Sequence, residues 1–168
     1  INTFDESNIE AKVLRAVEER NALQKSLIVE QIKKQFSDDL SKVQFGVWGL
    51  SYKPGTNDMR EAPSINIISQ LVELGANVIA HDPVAIEEAK MAFPSHQMND
   101  KLIFSENEYD VLKGSDALIL ITEWKLYRNP DFPKIKEMMK SPTIFDGRNQ
   151  YSPKQLRQLG FTYKGIGR

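Results

Sequence analysis

From residue 43 to residue 164 the chain repeats one rhythm, a short apolar run bounded by turn residues followed by a stretch with helical spacing, and few architectures accept it. The apolar runs predict strands at 43–48, 77–80, 101–104, 117–121, 143–145 and 162–164. Between them the spacing predicts helices at 64–74, 85–93, 108–113, 133–140 and 153–159. Their ends are marked by residues that stop or start a helix for steric reasons: Gly75 and Gly114 can turn left-handed, Pro94 cannot continue a helix, and Ser152 caps a helix whose first position is Pro153. Alternating strands and helices imply an α/β fold, a three-layer α/β/α sandwich around a Rossmann-like, mostly parallel sheet. Such a sheet holds ligands beyond the carboxyl ends of its strands, where the winding order reverses.

Ahead of this unit lies a different pattern. Ser7 and Glu10 form a capping box, and no Gly or Pro follows until after Phe36, while Ile9, Val13, Ala16, Leu23, Leu27, Ile28 and Ile32 recur at roughly helical spacing. One amphipathic helix is expected, and Ser37-Asp38-Asp39 ends it. The chain therefore divides into a long helix over 1–38 and an α/β domain over 39–168. The helix is either a dimer interface or a stripe packed on its own domain. A start at Ile1 rather than Met suggests a piece of a longer protein.

With 22 basic and 23 acidic side chains the formal charge is -1, so no global field draws the chain to nucleic acid or an anionic membrane; any anion site must be local. The absence of cysteine excludes disulfides, thiolate metal sites and cysteine nucleophiles, and is compatible with a reducing cytoplasm. No apolar run approaches the ~20 residues of a membrane span.

The segment after the first expected strand, Phe45-Gly46-Val47-Trp48-Gly49-Leu50, opens like a dinucleotide fold and then departs from it. The second and third glycines of G-x-G-x-x-G fall at Ser51 and Pro54, which block close approach of a pyrophosphate and interrupt a helix start. Asp82 could imitate the acid that holds an NAD ribose, but it lies about 33 residues beyond Gly49 where ~20 is usual, and a turn residue before Pro83 is the plainer reading. The loop carries Lys53, Asp58, Arg60 and Glu61 between Pro54 and Pro63, next to an expected helix start at Ser64. These residues suit a diphosphate, and they equally suit a surface pair of Arg60 with Asp58 or Glu61.

The sixteen residues Gly49-Leu50-Ser51-Tyr52-Lys53-Pro54-Gly55-Thr56-Asn57-Asp58-Met59-Arg60-Glu61-Ala62-Pro63-Ser64 closely resemble the carboxy-terminal domain motif of the UDP-glucose/GDP-mannose dehydrogenase family. Three further stretches agree in order: Arg20-Asn21-Ala22-Leu23-Gln24-Lys25, Thr122-Glu123-Trp124 and Phe145-Asp146-Gly147-Arg148-Asn149. Tyr163-Lys164-Gly165-Ile166-Gly167-Arg168 is similar to the ending of bacterial members that act on UDP-glucose. The resemblance covers essentially the whole chain. It implies oxidation of a sugar 6-alcohol to a carboxylate in two hydride transfers to NAD, through a thiohemiacetal and a thioester on a cysteine of the amino-terminal half.

This chain has neither that cysteine nor the lysine and glycine-rich loop that accompany it, so the resemblance implies no catalytic residue here and no activity for the chain alone. It implies that Tyr52 and Lys53 face the nucleotide half of UDP-glucose, that Arg148 reaches the UDP ribose or base, and that Arg60 points across a cleft toward the NAD pyrophosphate. NAD itself would be held mainly by an amino-terminal domain of the full-length chain, and the long helix would form a homodimer core. Tyr52 stands where many relatives carry Phe, and Asn57 where many carry Asp. A relative acting on UDP-N-acetylmannosamine or GDP-mannose, or a stand-alone nucleotide-binding module, are the alternatives. His81 and His96 have no metal-ligand spacing and are expected to be structural or superficial; Trp124 is expected to pack its own loop, and Asp146 to brace Gly147 and Arg148.

Overall fold

Residues 12–93 and 100–168 are described in a computed structural model. Ser7, Ile9, Glu10, Pro94 and His96 lie outside the described residues. Helix α1 (Lys12–Phe36) has 25 residues and spans about 38 Å. There follow β1 (Gln44–Trp48), α2 (Pro63–Glu73), β2 (Asn77–His81), α3 (Ile86–Ala92), β3 (Leu102–Phe104), β4 (Ala117–Leu120), α4 (Phe132–Met138), β5 (Thr143–Asp146), α5 (Pro153–Gln158) and β6 (Thr162–Gly165). Short 3-10 turns occupy Asp110–Leu112 and Lys125–Tyr127.

The helix expected at 108–113 is corrected to the first of these turns. The Asn107 side chain accepts from the amides of Tyr109 and Asp110, at 2.9 and 3.3 Å, and Gly114 leaves space for a single turn before β4. The second turn was not foreseen. Ser152 caps α5 as expected, accepting from Gln155 N, and Asp131 caps α4 by accepting from Lys134 N.

The six strands form one parallel sheet in the order β3-β2-β1-β4-β5-β6. The winding runs outward from β1 through β2 to β3, then returns to β4 on the other side of β1, so the reversal lies between β1 and β4. Side chains alternate strictly across the sheet. Phe45, Val47, Ala117, Ile119 and Phe145 pack on one face with α1, α2 and α3. Trp48, Leu118, Leu120 and Ile144 pack on the other with α4, α5 and Tyr127. Burial of both faces explains why β1, β4 and β5 read as continuous apolar runs rather than as alternating ones.

Both expectations for the long helix bear on the same element. Its last turns bury Ile28, Val29 and Ile32 in the core, whereas Val13, Leu14 and Val17 in its first turns are exposed. No helix among the described residues is long and apolar enough to cross a membrane.

Candidate ligand pocket at the strand tips

Three loops leave the carboxyl ends of β1, β4 and β5 and meet. Gly49 makes the first exit possible: it takes φ +90°, and a Cβ there would lie 2.5 Å from Thr122 Cβ in the β4 loop. The two loops are then tied, Thr122 Oγ1 donating to Ser51 O at 2.6 Å. Ser64 in the first turn of α2 donates back to Leu50 O, so its hydroxyl holds the loop and no side chain caps α2.

Asp82 organises the same corner from β2. It is 1% exposed, and its Oδ2 accepts from Leu50 N at 2.8 Å, Ser51 N at 3.1 Å, Ser51 Oγ at 3.2 Å and Trp124 Nε1 at 3.1 Å. Its Oδ1 accepts from Val84 N and Ala85 N, both at 3.0 Å. A carboxylate so occupied by its own chain has no acceptor left for a ribose, and the turn reading of Asp82 holds. Trp124, expected to pack its own loop, ties that loop to the end of β2 through this indole contact with Asp82.

Asp146 does for β5 what Asp82 does for β2. Buried at 1% exposure, it accepts from Arg148 N at 3.0 Å, Tyr151 N at 2.9 Å and the Tyr163 hydroxyl at 3.0 Å. Burial and the neighbouring carboxylate push the Tyr163 phenol up to about 12, so it stays protonated and donating. Arg148 is thereby aimed across the strand tips: Nε donates to Ile121 O at 2.9 Å and Nη2 to Tyr52 O at 3.3 Å. Glu123 Oε2 lies 2.7 Å from Arg148 Nε, an ionic contact, since the Nε proton points at Ile121.

The result is a hollow of about 1000 Å³ whose wall includes Tyr52, Lys53, Arg148, Asn66 and Ile166. The three residues expected to meet the nucleotide sugar thus share one cavity, with Glu61 on the same wall. Tyr52 and Lys53 are exposed on its rim, and among the described residues the Lys53 ammonium has no hydrogen-bond partner. The amino end of α2 also borders it, through Pro63, Asn66 and Ile67.

Residues the sequence reading passed over contribute as well. Asn21 and Gln24 of α1 line the hollow, although the sequence marks Arg20-Asn21-Ala22-Leu23-Gln24-Lys25 only by its resemblance to the family's long central helix and assigns it no ligand. The arrangement can hold an elongated polyanionic ligand by cations and a helix amino end.

Arg60 lies elsewhere. Its side chain is 90% exposed beside a separate hollow and forks onto Asp58, with Nε–Oδ1 at 3.0 Å and Nη2–Oδ2 at 2.8 Å. The Arg60 side chain and amide hold the Asp58 carboxyl at about 2, below its ordinary 3.8. The surface pair is therefore formed, and the guanidinium keeps one face to solvent. His81 is buried against Tyr127, with Nδ1 2.7 Å from the hydroxyl, and burial keeps it below its ordinary value. Among the described residues no cluster could hold a metal ion.

The family model for the UDP binding domain of the UDP-glucose/GDP-mannose dehydrogenase family matches residues 46–153. A UDP-glucose 6-dehydrogenase of Pseudomonas aeruginosa is 42% identical over 168 residues, covering 100% of this chain and 37% of that protein. The UDP-glucose 6-dehydrogenase TuaD of Bacillus subtilis is 34% identical, over 94% of this chain and 33% of its own length. Among solved structures, a UDP-glucose dehydrogenase from Pyrobaculum islandicum matches with a TM-score of 0.78 at 26% identity, covering 99% of this chain and 34% of that one. A UDP-D-ManNAc dehydrogenase from Pyrococcus horikoshii matches at 0.67 and 25%, over 93% and 33%. The chain thus spans about a third of the length of the relatives it matches.

Proposed function

The chain belongs to the UDP-glucose/GDP-mannose dehydrogenase family, and from that membership we propose that it forms the nucleotide-sugar-binding wall of a UDP-glucose 6-dehydrogenase. The complete protein would oxidise UDP-glucose to UDP-glucuronate, reducing two NAD and consuming one water. The observation that carries this reading is the convergence of Tyr52, Lys53 and Arg148 on one hollow at the reversal of the sheet.

A diphosphate asks for permanent positive charge and for amides at a helix start, and this hollow has Lys53, Arg148 and the amino end of α2 on its wall. Lys53 would meet a phosphate or ribose oxygen beside Tyr52. Arg148, steadied by two carbonyl oxygens, would address the ribose or base. Their work is orientation of the ligand, with no proton transfer assigned to them. UDP-glucose is favoured over other nucleotide sugars by the 42% identity to the Pseudomonas enzyme.

The residues at the reversal of this sheet do not fit NAD: Ser51 and Pro54 stand where close-approach glycines are needed, and Asp82 is engaged internally. NAD would be held by the amino-terminal part of the complete protein, with only the exposed Arg60 reaching toward its pyrophosphate. Residues 1–38 would continue a central helix that pairs two copies, and residues 39–168 would be the nucleotide-sugar domain, with the last turns of the helix embedded in its core.

The test uses the full-length protein. Lys53→Ala and Arg148→Ala should each raise KM for UDP-glucose by ~10- to 100-fold, the loss of one charged hydrogen bond to the ligand, with the domain still folded. The 168-residue chain alone should produce no NADH from UDP-glucose. An unchanged KM in both variants would sink the site assignment, and NADH production by the isolated chain would sink the division of labour.

A further inference from the structure

Arg148 sits on a turn that regular secondary structure does not support, and what supports it is the segment after β6. Asn149, next to it, is held left-handed at φ 54°. Its side-chain amide is occupied on both sides: Nδ2 donates to Ile166 O at 3.0 Å, while Oδ1 accepts from Ile166 N at 3.0 Å and Arg168 Nε at 3.0 Å. Arg168 Nη2 then reaches Asn149 O at 2.7 Å, Tyr151 O at 3.2 Å and the Tyr163 hydroxyl at 3.3 Å. These partners are neutral, so the guanidinium acts here as a planar fork for the carbonyls of an irregular turn rather than as half of an ion pair.

The segment is itself tightly placed. A Cβ on Gly165 would lie 2.4 Å from Asn149 Oδ1 and 3.0 Å from the Tyr163 hydroxyl, so only glycine admits this approach. Gln31 Nε2 of α1 donates to Gly165 O at 3.0 Å, which fastens the segment to the helix that lines the opposite wall. Ile166 borders the hollow beside Arg148. Arg168 is exposed, so its removal opens no cavity in the core.

We propose that Arg168, acting through Asn149, is a positioning residue for Arg148: the clasp between the segment 165–168 and the turn 146–151 sets the angle at which the Arg148 guanidinium meets the ligand. Asp146 fixes the turn from beneath, at the amides of Arg148 and Tyr151, and Arg168 fixes it from outside, at the carbonyls of Asn149 and Tyr151. Neither contact touches the hollow itself. This inference rests on the proposed function, in which Arg148 holds the UDP moiety.

The experiment measures UDP binding by calorimetry and steady-state kinetics on the full-length protein, for wild type, Arg168→Ala, Arg168→Lys, Arg148→Ala and the Arg168→Ala/Arg148→Ala double variant. Arg168→Ala should weaken UDP binding and raise KM for UDP-glucose by ~10-fold, with kcat held within about twofold. Arg168→Lys, which keeps the charge and loses the fork, should recover little of the affinity. The double variant should be hardly worse than Arg148→Ala alone, because both changes disable one contact.

Should Arg168→Ala fail to fold, Asn149→Gly, which tolerates the left-handed turn and removes the amide clasp, reads the same coupling from the other side and should show the same loss. UDP affinity unchanged in Arg168→Ala, full recovery in Arg168→Lys, or additive losses in the double variant would overturn the inference while leaving the proposed function intact. Absence of UDP binding by the wild-type protein would overturn both.

Discussion

At the scale of single residues, the informative groups are buried polar ones whose partners are backbone amides. Replacing Asp82 by Ala would strip the acceptor from the amides of Leu50, Ser51, Val84 and Ala85 in a site closed to water. A loss of ~2–4 kcal/mol is expected, with a lower urea midpoint as the readout, and a midpoint equal to wild type would contradict the role given to Asp82. His81 makes a pH prediction. Burial depresses its folded-state value below the ordinary 6.5, so beneath pH 6.5 the unfolded chain binds more protons than the folded one. The contribution to stability is thus present above 6.5 and lost as pH falls. Urea midpoints for wild type should drop between pH 7.5 and pH 5.5 more steeply than for His81→Gln; parallel curves would assign the effect to other groups.

At the scale of elements, α1 is the one with two characters. Deleting residues 1–38 removes Ile28, Val29 and Ile32 from the core, each worth ~1.5–3 kcal/mol of burial. Their sum is comparable to the whole stability of an ordinary domain, about 5–15 kcal/mol, so the shortened chain should be unfolded or aggregated by circular dichroism and light scattering. A cooperative melt in that chain would show that the helix is dispensable. β4 and the apolar part of β1 were legible as uninterrupted apolar runs, and two of the helices by their ends, one stopping at Gly75 and the other starting at Ser152 and Pro153. The short turns were not. Lys125–Tyr127 has no periodicity to read, and the stack of Tyr127 on Trp48, with centroids 4.9 Å apart, joins residues distant in the chain.

The same limit separates what was visible of the pocket from what was not. Tyr52, Lys53 and Arg148 could be picked out by motif, and a parallel sheet brings such loops together. Gln31 to Gly165 and Asn149 to Arg168 could not, because a side chain bonding a remote carbonyl leaves no pattern in either stretch of sequence.

At the scale of the whole molecule, the fold is a sheet with an apolar core on each face and a hollow at the strand tips by its reversal. Arg148 is fastened there with its fork resting on Ile121 O in the loop after β4 and Tyr52 O in the loop after β1. A nucleotide that grips this side chain would be felt by three connections at once, as a keystone is felt by both flanks of an arch. Amide hydrogen exchange of the full-length protein should therefore slow together at 49–53, 121–124 and 147–150 when UDP is added. Slowing confined to one of these stretches would mean that the arch stands as separate stones.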